Sequence, residues 1–160
     1  MPERQRVSLE LRWADTDQYG HVNNVALVRY VEEARIRTFG LPDQPQSAHA
    51  GRPAPVLATL GADSFTITAA QRFEHRAELA YSAQSIVAEV WLSRIGSSSF
   101  DLDCRLLDET GEIEYLIASV TLVLLDTATR RPRALTRSES EWLTGYVGDG
   151  VTFRNTQRKD

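Results

Sequence analysis

The sequence predicts an α+β fold in which one long helix packs against one antiparallel sheet. Two observations lead to this prediction. Residues 25–39 carry apolar side chains at helical spacing, whereas segments before and after them alternate between apolar and polar residues, as strands with one buried face do. Tight turns separate the later segments, and no repeat or linker divides the chain. We therefore expect a single domain over residues 1–146, followed by a loose tail over residues 147–160.

The composition is that of an ordinary globular protein. The chain has 160 residues, of which 42% are apolar and 25% are charged, enough to bury a core without disulfides or metals. Its net charge of −4 is opposite to the basic surplus of nucleic-acid-binding proteins. The sequence has no run typical of a signal peptide or a membrane span, and its single cysteine, Cys104, cannot form an internal disulfide. We expect a cytoplasmic protein with no metal, no cofactor, no nucleic-acid partner and no membrane partner.

The first predicted elements are a strand and the long helix. Apolar and polar residues alternate over residues 7–13, which predicts a strand. Asn23 or Asn24 is well placed to cap the helix, because an asparagine side chain accepts hydrogen bonds from amides two or three residues later. Gly40 followed by Pro42 is a typical end for such a helix.

The next segments predict the rest of the sheet. Residues 43–55 are rich in proline and glycine and predict a long loop, which is either a lid or pocket rim or a simple connection. Residues 56–60 and 65–68 predict one extended strand or two, broken near Gly61. Three further strands, joined by turns at residues 95–97 and 108–111, are predicted over residues 85–92, 100–106 and 113–125. Cys104 falls on the apolar face of its strand, as a small core residue would.

A short second helix is predicted near the end of the chain. Thr136 and Glu139 have the spacing of a capping box, in which each side chain bonds to the backbone amide of the other residue. This helix is expected to extend to about Tyr146.

The residues suited to chemistry are concentrated at positions 15–24, between the first strand and the long helix. They include two carboxylates, a tyrosine, a histidine and two asparagines. The first amides of a helix have no partner within that helix and can bind a negative charge. A reaction site is therefore the leading interpretation. Asp15 and Asn23 also have a plainer interpretation as loop and cap residues, and Gly20 as a turn residue with positive φ.

One motif and the helix after it carry a resemblance to a known family. The motif is Asp15-x-Asp17-x-x-Gly20-His21-Val22-Asn23-Asn24, and the helix that follows ends in Glu32-Glu33-Ala34-Arg35. Together they resemble acyl-CoA thioesterases of the hotdog fold, in the 4-hydroxybenzoyl-CoA thioesterase-like family. The likeness covers about residues 7–139, including residues 94–100 and 126–132. The resemblance implies a five-stranded antiparallel sheet wrapped around the long helix. It also implies that two subunits join their sheets edge to edge, in a homodimer or homotetramer with active sites at the interface.

The resemblance further implies which residues form the site. Asp17 matches the family's catalytic carboxylate and would act on an acyl-CoA substrate as a general base or as a nucleophile. Asn24 would present a backbone N–H to the thioester oxygen, while His21 and Asn23 would orient a water or hold the loop. Substrate-binding roles fall to residues around the motif and to arginines on the outer surface: Tyr19, Gly20, Val25, Arg94, Arg130 and Arg131.

Two other functions stay open on the sequence alone. Another hotdog branch carries its carboxylate on the long helix, which makes Glu32 or Glu33 a competing catalytic residue. Together with His21, either glutamate could support hydration or dehydration of an acyl thioester. A non-catalytic acyl-CoA-binding protein is the third interpretation, and it predicts ligand affinity without turnover.

Overall fold

The computed structural model describes residues 4–42, 56–82 and 85–154. These residues form five strands and two α-helices: β1 (Gln5–Leu9), α1 (Asn24–Phe39), β2 (Ser64–His75), β3 (Ile86–Ile95), β4 (Ser99–Leu107), β5 (Glu114–Asp126) and α2 (Arg137–Thr144). The predicted loop at residues 43–55 lies outside the described residues, so both of its interpretations, as a lid or pocket rim and as a simple connection, stay predictions. None of the described helices is long and apolar enough to span a membrane.

The five strands form one antiparallel sheet in the order β1-β3-β4-β5-β2. The two edge strands, β1 and β2, are consecutive among the strands but are separated in sequence by α1. This helix packs against β1, β3 and β4. A long helix against a five-stranded antiparallel sheet is the hotdog architecture, and the predicted fold class is confirmed.

The sequence of α1 explains where the helix begins, ends and packs. Asn23 is the N-cap, and its side-chain oxygen accepts a hydrogen bond from the Val25 amide at 2.8 Å. The C-cap is Gly40, whose φ of 74° lies in the left-handed region that glycine adopts without steric cost. Most buried residues of the helix recur at intervals of three or four: Ala26, Leu27, Tyr30, Val31, Ala34. The predicted helix is confirmed.

The hydrophobic core lies between α1 and the sheet. On β4 it includes Leu102, Cys104 and Leu106, each at most 2% exposed and each two residues from the next. Cys104 lies opposite Val90 on one neighbouring strand and Ala118 on the other. Burial raises the pKa of its thiol far above the ordinary range. The thiol is therefore a core side chain, as its place in the alternating pattern predicts.

Strand β1 is shorter than the alternation over residues 7–13 predicts. It ends at Leu9, and residues Trp13–Asp15 form a 3₁₀ turn in which the Trp13 side chain is 75% exposed. The reason is the neighbouring strand: Leu9 pairs with Ile86, which is the first residue of β3. None of the described strands continues opposite the chain beyond Leu9, and the chain leaves the sheet.

The prediction of a strand over residues 56–60 is wrong. Residues Val56–Thr59 form a 3₁₀ turn. Leu57 and Leu60 are 0% and 1% exposed, and their spacing of three is the repeat of a 3₁₀ helix rather than of a strand. The apolar run therefore reflects burial, but of a different secondary structure.

Strand β2 is longer than the predicted residues 65–68. It extends to His75 because its whole length pairs with β5. Its irregularity lies between Thr68 and Ala70 rather than near Gly61. The strand is exposed along much of its length, so polar residues in its second half obscure the apolar alternation that identifies strands in a sequence.

The capping box predicted for α2 is confirmed. The Thr136 hydroxyl accepts a hydrogen bond from the Glu139 amide at 3.2 Å, and the Glu139 carboxylate accepts one from the Thr136 amide at 2.8 Å. The same carboxylate binds Arg133 with both oxygens, each at 2.9 Å, and accepts the Gly61 amide at 3.0 Å. The helix ends at Thr144, earlier than predicted.

The residues after α2 are not a loose tail where the structure describes them. The Gly148 amide donates to the Leu92 carbonyl at 2.7 Å, and the Leu92 amide donates to the Tyr146 carbonyl at 3.1 Å. Because β1 pairs with β3 only as far as Val90, the next backbone groups of β3 are open to the returning chain. The prediction of a loose tail is wrong for residues 147–154. Residues 155–160 lie outside the described part of the chain.

Candidate active site

Residues from two distant parts of the chain enclose a cleft of about 370 Å³ at one end of the sheet. One side, the loop wall, comes from the predicted motif and the start of α1. The other side, the strand wall, comes from the end of β2 and the residues that follow it. We call this pocket the Asp17 cleft. Its lining residues are Asp17, His21, Val22, Asn24 and Leu27 on the loop wall, and His75, Arg76, Ala77, Glu78 and Leu79 on the strand wall.

Backbone hydrogen bonds join the two walls. The Val22 amide donates to the Leu79 carbonyl at 2.7 Å, and the Tyr81 amide donates to the Gly20 carbonyl at 3.2 Å. These are main-chain contacts, which hold the loop wall in register with the strand wall and with the residues that follow it. A displacement of one wall therefore moves the residues of the other.

Asp17 is held in a tight turn. Its Oδ1 accepts hydrogen bonds from the amides of Tyr19 at 2.8 Å and His21 at 3.1 Å. The Gly20 amide donates to the Asp17 carbonyl at 3.1 Å, and the Gly20 φ of 78° gives the turn its left-handed residue. We find no donor to Oδ2 among the described residues, so this oxygen is open to a water or a substrate.

The start of α1 lines the cleft with Asn24. The Asn23 side chain accepts the Val25 amide, and the Asn23 amide donates to the Asp15 carbonyl at 2.8 Å. Asn23 therefore serves as the cap, and the Val25 amide is already used. Within the described part of the chain, the Asn24 amide has no acceptor, and Asn24 lines the cleft.

The other carboxylate of the motif, Asp15, contacts the helix and does not line the cleft. Its Oδ2 accepts hydrogen bonds from the Tyr30 hydroxyl at 2.7 Å and from Nε of Arg12 at 3.1 Å. The bond from Tyr30, and then the one from Arg12, lower the pKa of Asp15 below its ordinary value. In the structure, Asp15 has the supporting role that the sequence left open, since it ties the motif to α1.

His21 has an acidic neighbour that the motif does not identify. Its Nε2 lies 3.5 Å from Oε2 of Glu78 on the strand wall. The competing carboxylates, Glu32 and Glu33, do not line the cleft. Glu32 lies 3.7 Å from the buried Arg35, and Glu33 lies 3.3 Å from Arg37. Across residues 4–42, 56–82 and 85–154, no three His, Cys, Asp or Glu side chains lie close enough together to hold a metal ion.

The strand wall is the part of the site that the sequence motif does not reveal. His75 is the last residue of β2, and residues 76–79 continue directly from it. No local spacing links these residues to the motif, because the two segments meet only through the folding of the sheet. The one available signal is compositional, namely the polar residues at positions 71–78, where a buried strand would be apolar.

Two residues with predicted substrate-binding roles are exposed and do not line the cleft. The Tyr19 side chain is 74% exposed and the Val25 side chain is 63% exposed. Gly20, the third such residue of the motif, shapes the turn around Asp17 and contributes no side chain. These positions can meet only those parts of a substrate that extend out of the cleft.

Two of the three arginines with predicted roles in phosphate binding, Arg94 and Arg130, already have partners in the chain. Arg94, near the end of β3, binds both carboxylate oxygens of Asp101 at 2.6 and 3.1 Å. Arg130 and Arg131 follow β5, and the guanidinium of Arg130 lies over the Phe65 ring, 4.9 Å from its centre.

Arg130 and Arg131 lie at the opposite end of the sheet from the Asp17 cleft. Phe65 is near the first residue of β2, whereas His75 of the strand wall is the last. At roughly 3.3 Å per residue, these two positions are about 33 Å apart along the strand. Within one chain, the structure does not bring the predicted arginines to the cleft.

Solved structures share this fold. YbaW of Escherichia coli, described as a probable thioesterase, superposes with a TM-score of 0.72 at 19% identity, over 90% of this chain and 99% of that one. A DHNA-CoA thioesterase of Staphylococcus aureus gives a TM-score of 0.66 at 16% identity, over 89% and 87%. A candidate acyl-CoA thioesterase of Xanthomonas campestris gives 0.58 at 28% identity, over 78% and 96%.

Comparison with family models identifies the family directly. No curated protein matches the chain in sequence. One family model does, and its match extends over residues 11–143, which include the motif, the strand wall and the whole sheet after β1. The chain belongs to the thioesterase-like superfamily and is thereby classed among the thioester hydrolases.

Proposed function

We propose that the protein is an acyl-CoA thioesterase, which hydrolyses an acyl-CoA thioester to a free acid and CoA. The observation that carries the proposal is the Asp17 cleft, which is lined both by Asp17, whose carboxylate has one open oxygen, and by Asn24, whose amide has no acceptor among the described residues. Thioester hydrolysis needs these two groups, one to activate the attacking atom and one to stabilise the charge that develops on oxygen. Membership of the thioesterase-like superfamily supports the same reaction.

In the proposed mechanism, Asp17 acts as a general base. A water adds to the thioester carbon while its proton passes to the Asp17 carboxylate. The carbonyl oxygen becomes negative and accepts a hydrogen bond from the Asn24 amide, at the positive end of the 16-residue α1. The carbon–sulfur bond then breaks and CoA leaves as a thiolate. A thiol with a pKa of about 8.5 needs no strong acid to leave, and the proton on Asp17 returns to the thiolate or to solvent.

Direct attack by Asp17, with formation of an anhydride, is the competing route. We favour the general-base route because His21 and Glu78 line the same cleft with Asp17 and lie 3.5 Å apart. Polar side chains on both walls can orient a water next to the open carboxylate oxygen. A nucleophilic carboxylate would need no such water in its first step.

The proposed substrate carries an apolar portion next to the thioester. Val22, Leu27 and Leu79 line the cleft and are at most 5% exposed, so they offer an apolar surface beside the polar residues. CoA is the proposed carrier because the Staphylococcus aureus protein is named for a CoA thioester, and the Xanthomonas campestris protein for acyl-CoA.

We further propose that the working form is a homodimer joined along β2, with a homotetramer as a pair of such dimers. β2 is an edge strand of 12 residues, and residues 67–72 are exposed. A long exposed edge is a template for pairing with another strand. Two-fold symmetry would pair the strands antiparallel, so that the Phe65 end of one lies beside the His75 end of the other. This supports roles for Arg130 and Arg131 in binding CoA at the cleft of the second subunit.

Replacing Asp17 by Asn tests the proposed function. The amide keeps the shape of the side chain but cannot take a proton from water, so we expect kcat for thioester cleavage to fall by about 10²- to 10⁴-fold. Release of the CoA thiol is measured across acyl-CoAs of graded chain length and one aromatic acyl-CoA. Circular dichroism and size-exclusion chromatography are expected to show an unchanged fold and oligomer.

The matched control is Glu33→Gln, which makes the same chemical change on the helix. We expect its kcat to stay within about twofold of wild type, because Glu33 is on the exposed side of α1 and pairs with Arg37. Full activity of Asp17→Asn would remove Asp17 from the mechanism. Hydration of an enoyl-CoA by the wild type, without thiol release, would replace the hydrolase assignment with a hydratase.

A further inference from the structure

We propose that Arg76 is a positioning residue for this reaction, through which the C-terminal strap holds the strand wall of the Asp17 cleft in place. The C-terminal strap is residues 146–154. The inference rests on the proposed thioesterase activity of the cleft, but its structural part can be tested without turnover.

The C-terminal strap begins beside β3. The amide of Leu92 donates to the Tyr146 carbonyl at 3.1 Å, and the Gly148 amide donates back to Leu92 at 2.7 Å. The indole N–H of Trp91 donates to the Asp149 carbonyl at 2.9 Å. The strap is thus attached by main-chain and side-chain bonds before it reaches the middle of the sheet.

Its next attachments are to β4 and β2. The Val151 amide donates to Oδ2 of Asp103 at 2.7 Å. Asp103 is 2% exposed, and its other oxygen has no hydrogen-bond partner among the described residues. A buried carboxylate that loses its hydrogen-bond donor destabilises the folded state. This bond therefore holds the strap against the sheet. Further along, the Arg154 amide donates to Glu74 of β2 at 2.9 Å.

Arg76 connects the strap to the cleft. Its Nη2 donates to the Thr152 carbonyl at 2.7 Å, and its Nη1 lies 2.8 Å from Oε1 of Glu74. Its Nε lies 3.7 Å from Oε1 of Glu114 on β5. The same residue lines both the Asp17 cleft and a cavity of about 260 Å³ beneath the strap. The planar guanidinium, with its fixed set of donors, is a rigid link between the two.

The strand wall has few main-chain attachments of its own at this point. The amides of Arg76 and Ala77 share one acceptor, the Tyr115 carbonyl, at 2.9 and 3.3 Å. Beyond them the wall continues to Leu79, whose carbonyl accepts the Val22 amide of the loop wall. A shift of Arg76 is therefore transmitted through Leu79 to the loop that carries Asp17 and the start of α1.

Full-length Arg76→Gln tests the proposal. We expect kcat for the best acyl-CoA substrate to fall by about tenfold with KM changed by less than about threefold, because a small misplacement of reacting groups lowers the rate more than the binding. Arg76→Lys keeps a charged donor but not the fixed set of donors, and is expected to recover kcat only in part. Wild-type kcat in Arg76→Gln would overturn the proposal.

Full-length Val151→Pro removes the strap's bond to Asp103 while leaving Arg76 intact. We expect it to reproduce the loss in kcat. The double variant, Arg76→Gln with Val151→Pro, is expected to be no slower than the slower single variant, because both changes break the same connection. Fully multiplicative losses would show that the strap and Arg76 act separately, and would overturn the proposal.

Arg105→Gln is the matched control. Arg105 also binds Glu114, at 2.5 Å, and lines the cavity beneath the strap, but it does not line the Asp17 cleft. Its kcat is expected to stay within about twofold of wild type. An equal loss of kcat in Arg105→Gln would mean that the ion pairs with Glu114 matter, rather than the link from Arg76 to the strap.

Hydrogen exchange separates this inference from the proposed function. We expect the amides of Val22 and Tyr81, which join the two walls, to exchange faster in Arg76→Gln and as in wild type in Arg105→Gln. If the wild type lacks thioesterase activity but exchange follows this pattern, the proposed function fails and the structural link stands. If the wild type is active and exchange in Arg76→Gln is unchanged, the link fails.

Discussion

Asp15 and Asp17 have the same side chain and different surroundings. Asp15 accepts hydrogen bonds from Tyr30 and Arg12, which hold its pKa low and its charge fixed. Within the described part of the chain, Asp17 accepts bonds only from amides of its own loop at Oδ1, so its second oxygen remains open. The Asp-x-Asp spacing cannot distinguish the two roles, because the deciding partner, Tyr30, belongs to the middle of α1.

Tyr30→Phe is expected to lower the free energy of unfolding by about 1 to 2 kcal/mol. The hydroxyl donates to an ionised carboxylate, and bonds to charged groups contribute more than neutral ones, while the ring itself stays in the core. Urea denaturation at neutral pH measures the change. Tyr19→Phe is the control, because that side chain is 74% exposed. Equal losses in the two variants would contradict the assigned role of the Tyr30 hydroxyl.

At the scale of elements, Glu139 ties α2 to the turn before β2. Its carboxylate accepts bonds from Arg133, the Thr136 amide and the Gly61 amide. The bond from Arg133 is the largest cause that lowers the pKa of Glu139, to about 2 from an ordinary 4.5. The ionised form is therefore favoured in the folded state, and the carboxylate stabilises the fold wherever it is charged.

Glu139→Gln is expected to lower the free energy of unfolding by about 1 to 3 kcal/mol at neutral pH, since charge-assisted bonds are lost. The lowered pKa of Glu139 contributes to the free energy of unfolding above pH 4.5, and this contribution is lost as the pH falls towards 2. The difference between wild type and variant should therefore shrink over that range, as thermal denaturation at a series of pH values will show.

The control for this helix is Glu141→Gln. Glu141 pairs with Arg137 at 2.8 Å, but the two side chains are 65% and 92% exposed. Exposed pairs of this kind contribute little, so the stability of this variant should follow wild type at every pH. A pH-dependent loss as large as that of Glu139→Gln would contradict the assignment.

The elements that the sequence predicts well are those whose signals are local. α1 has its cap, its apolar spacing and its terminal glycine within one segment, and the capping box of α2 lies within four residues. The prediction of a strand over residues 56–60 is wrong because the spacing of its apolar residues fits both a strand and a 3₁₀ turn. Only contact with α1 decides between the two. The strand wall and the strap contacts arise from the sheet, so no local pattern indicates them. Of the site, the sequence therefore predicts the loop wall alone.

At the scale of the whole molecule, the proposed dimer unites two features that one chain keeps apart. The Asp17 cleft lies at the His75 end of β2, and the arginines with proposed roles in CoA binding lie at the Phe65 end. Antiparallel pairing of two β2 strands would bring the two ends together. Activity should therefore depend on association of the subunits.

Ile67→Lys on the exposed edge is expected to convert the dimer to a monomer and to lower kcat/KM, because a charge on an edge strand opposes pairing. Light scattering after size-exclusion chromatography measures the mass. Ile113→Lys is the matched control, because both side chains are similarly exposed, at 45% and 46%, and Ile113 lies in the turn before β5. A monomeric wild type, or a dimeric and fully active Ile67→Lys, would contradict the proposed interface.

Because Cys104 is buried, the reaction of its thiol with a labelling reagent measures how often the protein opens. It is the sole cysteine of the sequence, and a thiol reagent can reach it only when β4 is uncovered. Its labelling rate under native conditions therefore counts a single class of event, the transient loss of the middle of the sheet. A compound that binds only the closed form makes that event rarer in proportion to its occupancy. Acyl thioesters can thus be ranked by the protection they give to one buried sulfur, before any of them is known to be turned over.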